Sequence, residues 1–241
     1  MNAILQSLHD RKSVRAFTDQ PVAEETKLAI LTAAVQAPTA GNQQLYTILD
    51  ITDQTVKEKL VPLCDNQPFI ATAPLVLIFL ADCRKWHEAF RLGGCEPRKP
   101  GLGDLMLAVS DTNIAAQNAV VAAESLGLGS CYIGDVMEND EGIRALLKLP
   151  EYVFPAAMLV MGYPTEQQKQ RPKPERCALK HIVHENAYRT MEAEELEAML
   201  SYKAGERPYA EWLEAFCTRK YNSDFSREMT RSVTAYCKQF E

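Results

Sequence analysis

The chain contains no C-x-x-C pair, and its seven cysteines (Cys64, Cys83, Cys95, Cys131, Cys177, Cys217 and Cys237) are scattered. An odd number without framework spacing excludes a disulfide-stapled scaffold and fits free thiols in a reducing cytoplasm. His181 and His184 come nearest to a metal motif, but further ligands are missing, so no metal site is expected. No apolar run is long enough to cross a bilayer; "APLVLIFLA", residues 73–81, has the length of a buried strand. The opening "MNAILQSLHDRK" lacks the basic segment and apolar stretch of an export signal. A cytoplasmic protein with no membrane partner is therefore expected. Basic residues are outnumbered, 26 Lys and Arg against 32 Asp and Glu, which argues against nucleic acid as a partner. Catalytic signatures are missing too: there is no G-x-S-x-G, Walker A loop, H-E-x-x-H or Rossmann G-x-G-x-x-G, and the histidines fit no Ser-His-Asp order. Any chemistry must come largely from a bound cofactor.

What is present is an ordinary globular composition, 46% hydrophobic and 24% charged over 241 residues, enough for one substantial core. Apolar periodicity predicts helices over 3–9, 22–38, 55–64, 104–126 and 140–149. Short apolar runs predict strands over 45–51, 75–81, 127–133 and 155–164. Helices alternating with such strands give an α+β or α/β sandwich around a central sheet. The 104–126 segment is apolar on more than one face, so packing on several sides is expected, including against a second subunit. Residues 165–182 carry Lys169, Arg171, Lys173, Arg176 and Lys180 with two prolines, which predicts an extended strap. Residues 191–241 read as helices, too few to bury a core of their own.

Three local patterns suggest a ligand. In "DRKSVRAF", Arg11, Ser13 and Arg15 alternate, so in an extended chain they point the same way, while Lys12 faces oppositely. Two guanidiniums and a hydroxyl on one face suit a phosphate, because arginine offers forked donors to paired oxygens. The strap bases Lys173 and Arg176 offer a second contact to the same anion. In "APTAGNQQLYTI", a helix end meets a strand through Thr39, Asn42 and Gln44, small and amide residues that a ligand can approach closely. Taken singly, the basic clusters favour solvated charged turns, and the Thr39–Gln44 segment is equally compatible with an ordinary polar loop.

Together these segments resemble the nitroreductase family of FMN-dependent oxidoreductases. "DRKSVRAFTDQPV" is similar to its R-[RK]-S-x-R-x-F entry, and "AAVQAPTAGNQQLY" to its A-P-S-x-x-N-x-Q-P-W segment. "DTNIAAQNAVVAAESLGLGSCYIG" is similar to its central helix and flavin-contacting turn, and the likeness continues through "LLKLP", "MGYP" and "IVHENAY". The branch resembled most is that of NADPH-dependent flavin reductases and oxygen-insensitive nitroreductases. The resemblance implies an α+β three-layer sandwich with a central, mainly antiparallel sheet, a long buried helix at the interface of a homodimer, and a C-terminal helical extension. It implies an FMN-binding domain over 1–190, with 191–241 extending that same domain.

The resemblance also assigns residues. Arg11, Ser13 and Arg15 match the phosphate, ribityl and pyrimidine side of FMN, with Lys12 among them a further candidate; Thr39 stands where the family often has a serine donated from the partner subunit, Gln44 where it has a loop amide, and Asn42 between them is a candidate contact. Gln67 matches an amide near the ring, Tyr132, Ile133 and Gly134 the turn that meets it, and Lys173 and Arg176 the strap. Arg219, Lys220, Arg227 and Arg231 are candidate contacts for the NADPH phosphate, with NADH the alternative donor. No protein side chain is expected to be catalytic in its own right. The implied reaction is ping-pong transfer of electrons from NAD(P)H through flavin N5 to nitroaromatics, quinones or free flavin, all small-molecule acceptors. A different FMN reaction on the same scaffold (dehalogenation, enone reduction, flavin breakdown) and a non-enzymatic nucleic-acid or protein-binding module are the competing readings. Asp135 departs from the branch, which has glycine there, and places a carboxylate near the flavin; Leu45-Tyr46 replaces Pro-Trp.

Overall fold

Strand β2 (Leu75–Asp82) is buried along its whole length, and its alternating side chains divide between two hydrophobic cores. Leu75, Leu77 and Phe79 face one core, and Val76, Ile78 and Leu80 the other, as the two-residue repeat of a strand requires. A strand apolar on both faces needs a layer of helices on each side. The computed structural model, which describes residues 1–241, has that arrangement.

The elements follow in chain order as α1 (Ala3–Asp10), α2 (Glu24–Val35), β1 (Tyr46–Asp50), α3 (Gln54–Leu63), α4 (Phe69–Thr72), β2, α5 (Arg84–Leu92) and α6 (Leu102–Ser125). Next come β3 (Gly129–Ile133), α7 (Asp140–Leu147), β4 (Val153–Gly162), α8 (Glu166–Gln170), α9 (Ala193–Leu200), α10 (Tyr209–Lys220) and α11 (Asp224–Cys237). The four strands form one sheet in the order β1-β2-β4-β3, every pair antiparallel. Helices α2 and α6 cover one face through Ile30, Ala34, Ala115, Ala119 and Val120. Leu60 of α3, Ile70 of α4 and Ile143 of α7 cover the other. This is an α+β sandwich, as the sequence implies.

Local chemistry sets the boundaries. Asn2 caps α1 by accepting from the Leu5 N–H at 2.9 Å, and Asp53 caps α3 through the Thr55 N–H at 2.8 Å. Glu24 and Glu25 stand at the positive start of α2. Pro155, expected at the start of a strand, lies inside β4 and pairs with Leu80 at the register shift in β2. Lacking an N–H, proline is tolerated in a central strand at such a bulge.

Two segments differ from the periodicity reading. Helix α5 was not expected; Asp82 starts it by accepting from the Arg84 and Lys85 N–H groups at 3.1 and 3.2 Å. The expected strap begins instead with α8, because the Thr165 hydroxyl accepts from the Gln168 N–H at 3.4 Å. Packing divides the chain into one compact unit of residues 1–172 with 228–241 and a second of residues 173–227, boundaries different from the sequence division at residue 190. Within the second unit Arg189 pairs with Glu195 at 2.6 Å, and Trp212 stacks on Phe216 at 5.1 Å between ring centroids. No helix is long and apolar enough to cross a membrane.

Candidate functional site

The segment after α1 runs beside β3. Ser13 bridges Ser130 in parallel, and the Val14 N–H donates to the Ser130 carbonyl at 2.9 Å. Contact is close enough to require glycine at 129, where a Cβ would stand 2.5 Å from Val14 Cγ2. The extended backbone gives the alternation read from the sequence. Val14 is buried, while Ser13 and Arg15 turn toward Cys131, whose thiol burial pushes up and Arg15 and Ser13 draw back. Arg11 adds its charge to the same place, acting on Cys131 and on Tyr132. Tyr132 is pushed up to about 12 by burial, against the pull of Arg11, and its hydroxyl donates to Gln117 Oε1 at 3.3 Å. The structure thus brings Arg11, Ser13, Arg15 and Tyr132 together, with Ile133 and Gly134 following directly along the chain.

Arg11 Nη1 is buried and has no protein partner. A buried cationic donor without an acceptor is costly, and a bound anion would satisfy it. Lys12 points the other way, its ammonium donating to the carbonyls of Lys169, at 2.6 Å, and Arg171. Arg171, absent from the sequence-derived site, donates through Nη2 to the Ser13 carbonyl and leaves Nε buried without a partner. These bonds fasten 11–15 to the chain after β4. The bend is not free to drift.

Gln67 lies in the turn between α3 and α4 and donates to the Cys64 carbonyl at 3.1 Å. Asp65 in this turn and Asp135 in the 3-10 turn after β3 both bear on Glu138, which is 4% exposed. Burial first, and then the charges of Asp135, Asp65 and Glu228, push Glu138 up to about 8.

The loop from Thr39 to Gln44 is at the opposite edge of the sheet, leading into β1. Its anchor is Asp111 of α6, 3% exposed, which accepts from the Thr39 hydroxyl, from the Ala40 N–H at 2.9 Å and from the Leu45 N–H at 3.4 Å. Thr39 Oγ1 in turn accepts from the Gln44 N–H at 2.8 Å, and Gln44 Nε2 reaches the Val35 carbonyl at 3.3 Å. Asn42 and Gln44 both take positive φ, +57° and +51°, and both are exposed. Trp86 of α5 donates to the Gln43 carbonyl at 2.7 Å. Asp111 was missed in the sequence, although a lone acid on the otherwise apolar face formed by Leu105, Ala108, Ala115 and Ala119 was a usable sign.

Arg231 of α11 is fully engaged. It meets Glu141 and Glu228 at 2.8 Å and Asp140 at 3.1 Å, holding both glutamates near 2, while the Asn139 N–H donates to Glu228 at 3.1 Å. The other basic candidates belong to the second unit. There Arg176 donates to the Pro174 carbonyl at 2.9 Å, Arg219 lies 5.4 Å from the Phe216 ring centre, Lys220 5.8 Å from that of Phe225, and Arg227 pairs with Asp224 at 3.8 Å. Lys173 lies at the start of this unit.

Residues 8–163 match the model of the nitroreductase family. The chain is 32% identical to an FMN reductase [NAD(P)H] from Bacillus subtilis, over 98% of this chain and 91% of that protein. It is 36% identical to an oxygen-insensitive NADPH nitroreductase from Salmonella typhimurium, over 80% of this chain and 77% of the relative. The crystal structure of nitroreductase A from Vibrio parahaemolyticus superposes with a TM-score of 0.78 at 28% identity, covering 89% of this chain and 90% of that one. With a family match over most of the first unit, relatives similar over nearly the full length and the same sandwich, the chain belongs to the nitroreductase family.

Proposed function

We propose that this chain is an FMN-dependent NAD(P)H oxidoreductase that passes electrons to nitroaromatics, quinones or free flavin. The carrying observation is the buried, unpartnered Nη1 of Arg11, on the same face as Ser13 and Arg15 and beside the Tyr132–Gly134 turn. Such a donor set fits the phosphate and polar edge of FMN. When bound, FMN supplies the redox chemistry, accepting hydride from a nicotinamide and returning electrons to an acceptor. The residues of this chain bind and tune. Arg11 and Ser13 hold the phosphate side, Arg15 sets positive charge against the negative charge of the reduced ring, and Ile133 and Gly134 present backbone to it. Lys12 is assigned a structural role, since backbone carbonyls take its ammonium. The resemblance adds Gln67, Lys173 and Arg176 to the FMN ligands and Arg219, Lys220 and Arg227 to those of NADPH; Arg231 is left out because three carboxylates occupy it.

The working form is a homodimer. In one chain the Arg11 segment lies outside β3 and the Thr39 loop leads into β1 at the opposite edge of the four-stranded sheet, four strand spacings or about 19 Å apart. A second copy supplying Thr39, Asn42 and Gln44 would complete the site. Leu102, Met106, Leu107 and Ile114 on α6, and Ile4, Leu5 and Leu8 on α1, are exposed apolar side chains available for that contact. Residues 1–190 form the flavin-binding part and 191–241 its extension, and the seven unpaired thiols suit the cytoplasm.

Arg11→Ala tests the assignment. FMN affinity, followed by flavin fluorescence, should fall by about 1.5–3 kcal/mol, the worth of a charged hydrogen bond, with the urea midpoint little changed. Unchanged affinity would remove Arg11 from the site.

A further inference from the structure

The 3-10 turn that follows β3 places two carboxyl groups immediately behind the Tyr132–Gly134 turn. Asp135 is partly exposed, and Glu138, one turn on, is 4% exposed. Their side chains are within hydrogen-bonding reach of one another, and Glu138 Oε1 has no partner on the protein. Two carboxylates can hydrogen-bond only if one carries a proton.

The surroundings favour that proton. Around Glu138 stand Asp135 on the same turn, Asp65 from the turn after α3, and Glu228 from α11, all negative. Cys64, at the end of α3, is a buried thiol raised by burial and by Asp135 and Glu138. Of the two cations in this region, Arg231 is committed to Glu228, Glu141 and Asp140, and Arg144 of α7 lies over the Tyr236 ring and acts on Asp140; the groups that act most on Glu138 are all acidic. Asp140, two residues on from Glu138, is itself raised, by burial and by Glu141. A buried carboxyl with no cation of its own and an anion beside it stays neutral in preference to ionising.

Resting on the FMN reading of the Tyr132–Gly134 turn, we propose that Asp135 and Glu138 share one proton beside the flavin, so that its release adds a second negative charge and disfavours the reduced cofactor. Glu138, buried behind Asp135, is here a positioning residue, setting the charge that Asp135 presents. The change falls where Glu138 titrates, about 8. Below that pH the pair carries a single charge; above it the pair carries two. A flavin site on this turn would bind reduced FMN less well relative to oxidised FMN as alkalinity rises.

The test measures the ratio of affinities for reduced and oxidised FMN, obtained from the midpoint potential of the bound flavin between pH 6 and 9, in wild type, Glu138→Gln and Asp135→Asn. Glu138→Gln keeps the shape and removes the titrating group. Wild type should show an added loss of preference for reduced FMN, roughly three- to tenfold, centred near pH 8. Glu138→Gln should lack it, and in Asp135→Asn it should move to lower pH as one of the neighbouring charges is gone. The flavin's own ionisation is common to all the proteins and cancels in the comparison. A carboxyl-selective NMR titration of the FMN-loaded protein should place Glu138 well above ordinary glutamates. Superimposable curves for wild type and Glu138→Gln, or an ordinary Glu138 titration, would overturn the shared proton while leaving the FMN reading intact. A protein that retains no FMN would sink the FMN reading and this inference with it, even if Glu138 titrates high.

Discussion

Replacing Asp111 by asparagine should loosen the loop that carries Thr39, Asn42 and Gln44 without disturbing the sheet. The carboxylate is buried and serves two short bonds, from the Thr39 hydroxyl and the Ala40 N–H, and a longer one from the Leu45 N–H. Asparagine retains a single oxygen acceptor, and its amide would confront either the Ala40 N–H or the Thr39 hydroxyl. That hydroxyl has a lone pair left beside the Gln44 N–H with which to accept, but its own proton, now given to Asp111, would then lose its acceptor. A hydrogen bond to a charged group is worth roughly 1.5–3 kcal/mol, so losing the charge and misdirecting one bond should cost about 2–3 kcal/mol. Asp111→Ala, which strands all three donors, should cost about 4 kcal/mol. Urea unfolding gives the stability, and Trp86, bonded to the Gln43 carbonyl, reports the loop itself by its fluorescence. FMN affinity should fall in parallel if, as proposed, the loop of one copy completes the site of the other. A double-mutant cycle with Thr39→Val should give a coupling of about 1–2 kcal/mol. Additive effects, or an Asp111→Asn protein with native unfolding midpoint and FMN affinity, would refute the claim that α6 holds this loop.

Gly129→Ala should weaken FMN binding more than tenfold with modest loss of stability, because its methyl would meet Val14 and push the Arg11–Arg15 segment from β3. Flavin fluorescence titration checks it; native affinity would mean that this segment does not hold the cofactor. The Arg231 cluster should give the protein an acid-sensitive margin. Glu228 is lowered from 4.5 to about 2 by Arg231, so its contribution is present above 4.5 and lost as pH falls toward 2. Partly screened, it is worth about 1 kcal/mol, and Arg231→Met should flatten the acid limb of the stability curve measured by thermal unfolding. An unchanged acid limb would show that the cluster adds nothing to folding.

Much of the sandwich was legible because β2 is continuously apolar and α6 carries a long apolar pattern, signals that local sequence carries in full. The Arg11–Ser13–Arg15 face was legible for the same reason: alternation is a property of an extended chain, and the bridge to Ser130 keeps it extended. What escaped depended on distant partners. Asp111 and Arg171 act on backbone groups 71 and 158 residues away, at Ala40 and Ser13, and no local pattern announces such bonds. Helix α5 escaped because its start is capped from the end of the preceding strand, by Asp82. Pro155 misplaced the start of β4, since a proline reads as a boundary unless the bulge beside it, at Ala156, is known. Arg231 was indistinguishable by sequence from a phosphate ligand; only the three carboxylates gathered around it reveal where its charge is used.

The central claim is that residues of this chain hold FMN where a nicotinamide can reduce it. The most direct measurement is an anaerobic titration of the purified, FMN-loaded protein with NADPH and separately with NADH, following the visible flavin band. The account predicts stoichiometric bleaching by at least one nicotinamide and recovery of the band on adding a quinone or nitroaromatic. A band that dithionite bleaches but neither nicotinamide does would contradict it.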